Sequence, residues 1–398
     1  MKNLGMFSFL LVLSPFILSF SFGLDIYIPV VPQMVSVFNT SAQKVQLTLS
    51  LFLVCAGLGQ LIVGPLCDRF GRKPTYYASS CAFAVGSLIC AFSPRIEILI
   101  GGRLLSAMGA CGMLVAAFAT VRDLFSGIKS AKMFSFVNAT VGISPTFAPI
   151  VGGYLALYFG WKSNFIFLFF IGLCALLFAY FFIEETHNKN NIIKLDKSII
   201  SQYLKIFLNP EFLIFATLAG LAEGVFFGFF SLSPFIIIQQ LGIAPENFGY
   251  FFAVFGSMIG LGGMFSGHII TPGRQNLILK SGIALMFVGG ASMLIWYNLF
   301  SLSLAGFLLP MALSCFGAII ILGSSAAAAL EPFSHIAATA SAMLGALQFG
   351  LSSLIGSIVV FFPTTSTLPY GITILVVAIL SALLMLLHNF RRLATVNQ

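Results

Sequence analysis

Long apolar intervals separated by short polar ones run the length of the chain. Residues 3–24, 45–67, 74–94, 104–121, 133–161 and 163–183 contain no Asp, Glu, Lys or Arg. About 20 apolar residues in a helix cross a bilayer core, so each interval predicts one span, the fourth beginning near Ile98, ahead of Arg103. In the second half, 212–245 (interrupted only by Glu223) and 247–273 each hold one span, and 281–330 and 332–390 hold two each. The pattern therefore predicts twelve transmembrane helices. None of the intervals alternates apolar and polar residues in segments of about ten, which excludes a membrane β-barrel and leaves helices as the spanning element. The apolar run after Lys2 has the look of a secretory signal, but no small-residue cleavage site follows it, and it reads as an uncleaved first span.

Composition and loop charge add to this picture. Charged residues are 8 % of the chain, apolar ones 59 %, and mean hydropathy is +1.06, whereas soluble domains carry about 25 % charged residues. With the amino terminus cytoplasmic, 15 Lys and Arg fall on the cytoplasmic side, while Lys44, Arg95 and Lys162 fall on the other. That bias predicts a multi-pass protein of the cell inner membrane with both termini cytoplasmic. The net charge of +8 follows from this topology and from attraction to the membrane surface, so it is no sign of nucleic-acid binding.

The one extended polar stretch, 184–205, lies near the middle of the 398 residues. It divides the chain into an expected six-helix half at 1–183, a cytoplasmic linker at 184–208 and a second six-helix half at 209–398. Such a plan fits transporters built from two repeated halves that rock about a central site. The strings at 64–72 and 267–274 occupy equivalent places after the second and eighth spans, but the latter lacks the acid. The seven cysteines sit in or beside apolar spans with no C-x-x-C spacing and predict neither disulfides nor a metal site. The four histidines are scattered near helix ends and read as structural or surface residues.

Three ionisable residues interrupt apolar spans: Asp25, Arg103 and Glu223. A charge at the bilayer centre costs about 2.5–3.5 kcal/mol on insertion scales, so such groups should face a cavity or one another. One reading is a structural ion pair, or an Asp25 lying near the outer surface. The other makes a carboxylate the proton carrier, its protonation responding to burial, to Arg103 and to a cationic substrate. The loop at 64–74, GPLCDRFGRKP, offers glycines for close helix approach and a tight reversal. Its Asp68 can accept from a neighbouring helix N-terminus, and Arg69, Arg72 and Lys73 can face an anionic leaflet.

That loop resembles the G-x-L-x-D-R-x-G-R-K signature of the major facilitator superfamily. Further strings resemble its twelve-span drug:proton antiporters of the bicyclomycin and chloramphenicol resistance group: DIYIP at 25–29, RLLSAMG at 103–109 with Ser106 where Gln is usual, VRDLF at 121–125, APIVGG at 148–153, SPF at 233–235 and ASAMLG at 340–345. The resemblance implies an all-α membrane protein with the major facilitator fold. It implies proton-driven export of small organic molecules, with Asp25 and Tyr27 at the coupling site and Arg103 tuning it. Gly64, Asp68, Arg69, Gly71, Arg72 and Lys73 would form the gating loop, and Pro149, Gly152 and Gly153 the antiporter motif. Pro149 would let the fifth helix bend, and Gly152 and Gly153 would let it pack closely on a partner. Glu223 departs from the group's pattern and marks either a substrate preference or a second proton site.

The implied partners are a small-molecule substrate, lipophilic or cationic, together with protons and the bilayer. The chain is expected to act as a monomer without nucleic acid and without cofactors, a proton gradient supplying the energy. Forty-five phenylalanines could furnish an aromatic cavity for flat cations, though most would face lipid or pack helices. A dedicated metabolite or siderophore exporter, or an importer, is the close rival. A membrane-embedded enzyme is disfavoured because no H-E-x-x-H, paired aspartates or G-x-S-x-G is present, and a sensor because no large soluble output domain is.

Overall fold

The computed structural model describes residues 6–125, 127–186, 197–269 and 275–396. Among these are twelve helices of 20 residues or more. They are α1 (Met6–Asp25), α2 (Ala42–Phe70), α3 (Arg72–Ala91), α4 (Ile96–Leu124), α5 (Gly127–Phe159) and α6 (Lys162–Phe181), then α7 (Pro210–Pro234), α8 (Pro245–Ile269), α9 (Gln275–Phe300), α10 (Leu304–Leu330), α11 (Ala337–Phe361) and α12 (Leu368–Val396). Nine have the length and apolar composition of membrane spans among the described residues, and α3, α5 and α8 complete the expected twelve.

Local chemistry sets several helix ends. Ser41 caps α2 by accepting from the Lys44 amide, and Asn209 caps α7 by accepting from the Phe212 amide at 2.9 Å, with Pro210 at the first turn. Ser303 caps α10 and also accepts from Trp296 Nε1 at 2.9 Å.

Chain connectivity differs from expectation in three places. The first span does not end at residue 24: after a break at Ile26 and Tyr27 the chain is helical again through Ile28–Val30 and Val31–Val37. Pro29 lacks the N–H that the Asp25 carbonyl would receive, so the α-helix is interrupted, yet proline suits the first turn of the helix that follows. The segment at 64–74 is not a loop. Its residues belong to α2 and α3, and Gly71 (φ 100°) alone makes the reversal. Within the linker expected at 184–208, Lys197–Phe207 is an 11-residue helix; residues 187–196, including His187, lie outside the described set, as do 270–274 of the second string.

Contacts group the chain into two units, 1–200 with 244–256, and 201–243 with 257–398. In the first unit α1 packs on α4, α5 and α6, and α3 packs on α4 and α6. The second unit has the same arrangement six helices later: α7 packs on α10, α11 and α12, and α9 on α10 and α12. The α2–α4 contact, where Gly59 meets Cys111, is matched by Gly262 of α8 against Ile319 of α10. Two copies of one six-helix plan are thus visible in the packing, although the string at 267–274 hardly shows it.

Candidate functional site

Asp25 ends α1 at the break before Pro29, and its side chain is 2 % exposed. It falls within the 30-residue candidate span Ser8–Val37. Arg103, 1 % exposed, reaches from α4 across two helices. Its Nη1 donates to the Gly23 carbonyl in α1, its Nε donates to the Thr48 carbonyl in α2 at 3.2 Å, and its guanidinium lies 4.3 Å from the Phe52 ring and 5.5 Å from that of Tyr27. Asp25 and Arg103 therefore do not form the salt bridge that one reading offered, although their charges are close enough to interact. Backbone carbonyls and aromatic faces solvate the guanidinium instead.

This arrangement leaves capacity to spare. Asp25 Oδ1, the Tyr27 hydroxyl and Arg103 Nη2 are buried with no hydrogen-bond partner among the described residues. Buried polar atoms are nearly always paired, and three of the unpaired ones among the described residues gather around this one helix break. Ser106, where the resemblance raised a question, donates to the Arg103 carbonyl at 2.9 Å and leaves the guanidinium alone.

The break itself is held from two further sides. Asn164 of α6 donates to the Ile26 carbonyl at 3.2 Å, and Gly152 of α5 lies so close to that carbonyl that a Cβ would collide with it. Gly153 is equally tight against Pro245 and Glu246 at the start of α8. The close packing expected of these glycines is present; α5 runs unbroken through Pro149.

A second polar cluster surrounds the α2–α3 turn. Arg72 is buried and donates to Asp68 Oδ1 (2.7 Å), to both oxygens of Asp123 (2.8 and 3.3 Å) and to the Cys67 carbonyl (2.9 Å). Arg122 lies 3.6 Å from Asp68. Asp68 therefore serves these two arginines and not a helix N-terminus. The N-terminus of α3 is capped by Glu185, which accepts from the amides of Arg72 (2.9 Å) and Lys73 (3.1 Å), while Thr186 donates to Asp123 at 3.1 Å. Of the three cations expected to face the leaflet, Arg72 is turned inward; Arg69 is exposed and Lys73 half-exposed. Gly64 has open space beside it and makes no close helix contact.

Glu223, midway along α7, accepts from Gln348 Nε2 of α11 at 3.4 Å, and no cation pairs with it among the described residues. Asn164, Glu185, Thr186 and Gln348 were not singled out from the sequence. The only signal for Glu185 is its place two residues past the apolar interval 163–183.

The profile of the Major Facilitator Superfamily matches residues 12–357. The chloramphenicol resistance protein of Pseudomonas aeruginosa is 31 % identical over 352 residues, 88 % of this chain and 83 % of that one. The bicyclomycin resistance protein homolog of Haemophilus influenzae is 28 % identical, covering 94 % and 95 %. In fold, the chain is similar to the crystal structure of a bacterial homolog to the human lysosomal transporter Spinster, with a TM-score of 0.73 at 15 % identity over 96 % of each chain.

Proposed function

The chain belongs to the major facilitator superfamily, and from that premise we propose that it is a proton-coupled antiporter that exports drugs or other small organic molecules. It is a multi-pass membrane transporter of small molecules. The observation that carries the antiport reading is the group of unpaired buried atoms on Asp25, Tyr27 and Arg103. A carboxylate that is buried but not locked into an ion pair can exchange a proton without breaking a bridge first. Arg103, held by carbonyls of α1 and α2, keeps a fixed positive charge beside it, so the net charge of the site changes when Asp25 takes or gives a proton. Relatives named for chloramphenicol and bicyclomycin resistance support export as the direction.

In this reading Asp68, Arg69, Gly71, Arg72 and Lys73 gate alternating access, with the Arg72–Asp68–Asp123 cluster as the latch. Pro149, Gly152 and Gly153 set the packing of α5, Gly152 against the α1 break and Gly153 against the start of α8. Glu223 marks a substrate preference or a second proton site, and a lipophilic or cationic substrate suits a membrane-embedded carboxylate. The protein acts as a monomer in the inner membrane with both termini cytoplasmic, driven by the proton gradient without a cofactor.

The test is expression in a drug-sensitive bacterial strain challenged with chloramphenicol, bicyclomycin and cationic dyes. Resistance to at least one compound, abolished by a protonophore, is expected. Resistance that persists undiminished with the proton gradient collapsed would overturn proton coupling.

A further inference from the structure

A groove with a volume of about 320 Å³ lies between α2 and α3, walled by Val63 and Phe70 on one side and Pro74, Ala78 and Ala82 on the other, with Met108 of α4 at its floor. It exists because α2 and α3 each pack closely on α4 and only lightly on one another. Pro74, Ala78 and Phe70 are exposed at its rim, so it opens outward from the first unit. Eight residues of α3 separate Pro74 from Ala82, which makes the groove about 12 Å long at 1.5 Å per residue.

The lining offers little to a polar ligand. The Thr75 hydroxyl is turned back to the Gly71 carbonyl at 2.8 Å, Ser79 is the one other polar side chain of the lining, and the remaining surface is almost wholly apolar, without the charged or multiple polar groups that fix a specific solute. The mouth is different. Arg69 stands 5.3 Å from the ring of Phe70, a rim residue, and Lys73 stands 5.8 Å from the ring of Tyr77, beside Pro74. Among the described residues neither cation has a carboxylate within salt-bridge distance: Asp68 and Asp123 are engaged by Arg72 and Arg122, and Glu185 by the amides of Arg72 and Lys73. An apolar slot ending beside two cations that form no salt bridge among the described residues suits a phospholipid.

We propose that this groove retains one anionic phospholipid of the leaflet at the α2–α3 turn, cytoplasmic by the loop charges, with an acyl chain between α2 and α3 and its phosphate between Arg69 and Lys73. Basic residues at a membrane surface select anionic headgroups, and two of them correspond to a preference of about 30-fold over a zwitterionic lipid. The acyl chain supplies position and the cations supply selectivity. Because the lipid fills space beside the α2–α3 turn, it stiffens the segment that carries Asp68 and Arg72.

The experiment uses the purified full-length protein, delipidated in detergent and titrated with phosphatidylglycerol or phosphatidylcholine, bound lipids being counted by native mass spectrometry. One phosphatidylglycerol is expected to be retained at concentrations about 30-fold below those needed for phosphatidylcholine. Ala82→Trp, which fills the deep end, should abolish that retention, and R69Q/K73Q should erase the preference between the lipids. Ala78→Trp at the rim serves the same purpose as Ala82→Trp if the latter does not elute as a folded protein. Leu177→Trp, on the exposed surface of α6, should retain the lipid as the parent does. Equal retention of the two lipids by the parent, or undiminished retention after the groove is filled, would overturn the proposal.

Discussion

Arg103 shows at the residue scale how a membrane-embedded charge is made tolerable without a salt bridge. Two carbonyl acceptors and two ring faces surround it, and the planar guanidinium is needed to meet all of them at once. Arg103→Lys keeps the charge but cannot donate to Gly23 and Thr48 together while lying over Phe52. With hydrogen bonds between membrane helices averaging about 0.6 kcal/mol and the ring contact of similar size, the substitution should cost about 1–2 kcal/mol. A lowered melting temperature in detergent would show this, together with slower substrate exchange; an unchanged melt would mean the carbonyl contacts carry no stability. That Asp25, Arg103 and Glu223 would sit inside long apolar helices was legible in the sequence, because each interrupts an apolar run. That Asp25 and Arg103 stay unpaired was not, since the choice between a carboxylate and two carbonyls depends on where the α1 break places Gly23.

The α2–α3 turn illustrates what is decided at the scale of elements. Gly71 has φ 100°, and a Cβ there would collide with the Glu185 carboxylate, so the turn and its cap are fitted to one another. Removing the cap with Glu185→Ala should cost about 1 kcal/mol of α3 stability and loosen the packing around Cys67, which is 1 % exposed. With Cys67 as the sole remaining cysteine, maleimide labelling should be several-fold faster in that variant; an unchanged rate would rule out Glu185 as the brace. Gly152→Ala pushes a methyl group against the Ile26 carbonyl. Overpacking of this kind costs about 1–3 kcal/mol, and substrate exchange should fall with protein yield maintained. Spans were legible from the spacing of charges, because a charge-free run of about 20 residues has few alternatives in a membrane. The Glu185 cap was not, because 112 residues separate it from Lys73 and no periodicity connects them. Nor was the Lys197–Phe207 helix, which falls in a stretch that reads as polar linker.

At the scale of the whole molecule, the helix contacts of the second unit reproduce those of the first six helices later, while the sequence retains only an uncertain echo at 267–274. Close approach between helices can be met by many combinations of small residues, so a packing plan outlasts the residues that first made it. The charge asymmetry of the loops survives because insertion depends on it. In the proposed mechanism the residues divide unevenly between the units: the unpaired Asp25, Tyr27 and Arg103 atoms belong to the first, and Glu223 with Gln348 to the second.

Proton exchange at Asp25 is the claim on which the account turns, and purified protein in liposomes tests it directly, with an imposed pH gradient driving dye transport and a pH-sensitive probe following the protons. The parent should move protons and substrate in opposite directions. Asp25→Asn should abolish gradient-driven transport while still exchanging substrate down its own gradient. Gradient-driven antiport by Asp25→Asn at the parent rate would contradict the assignment.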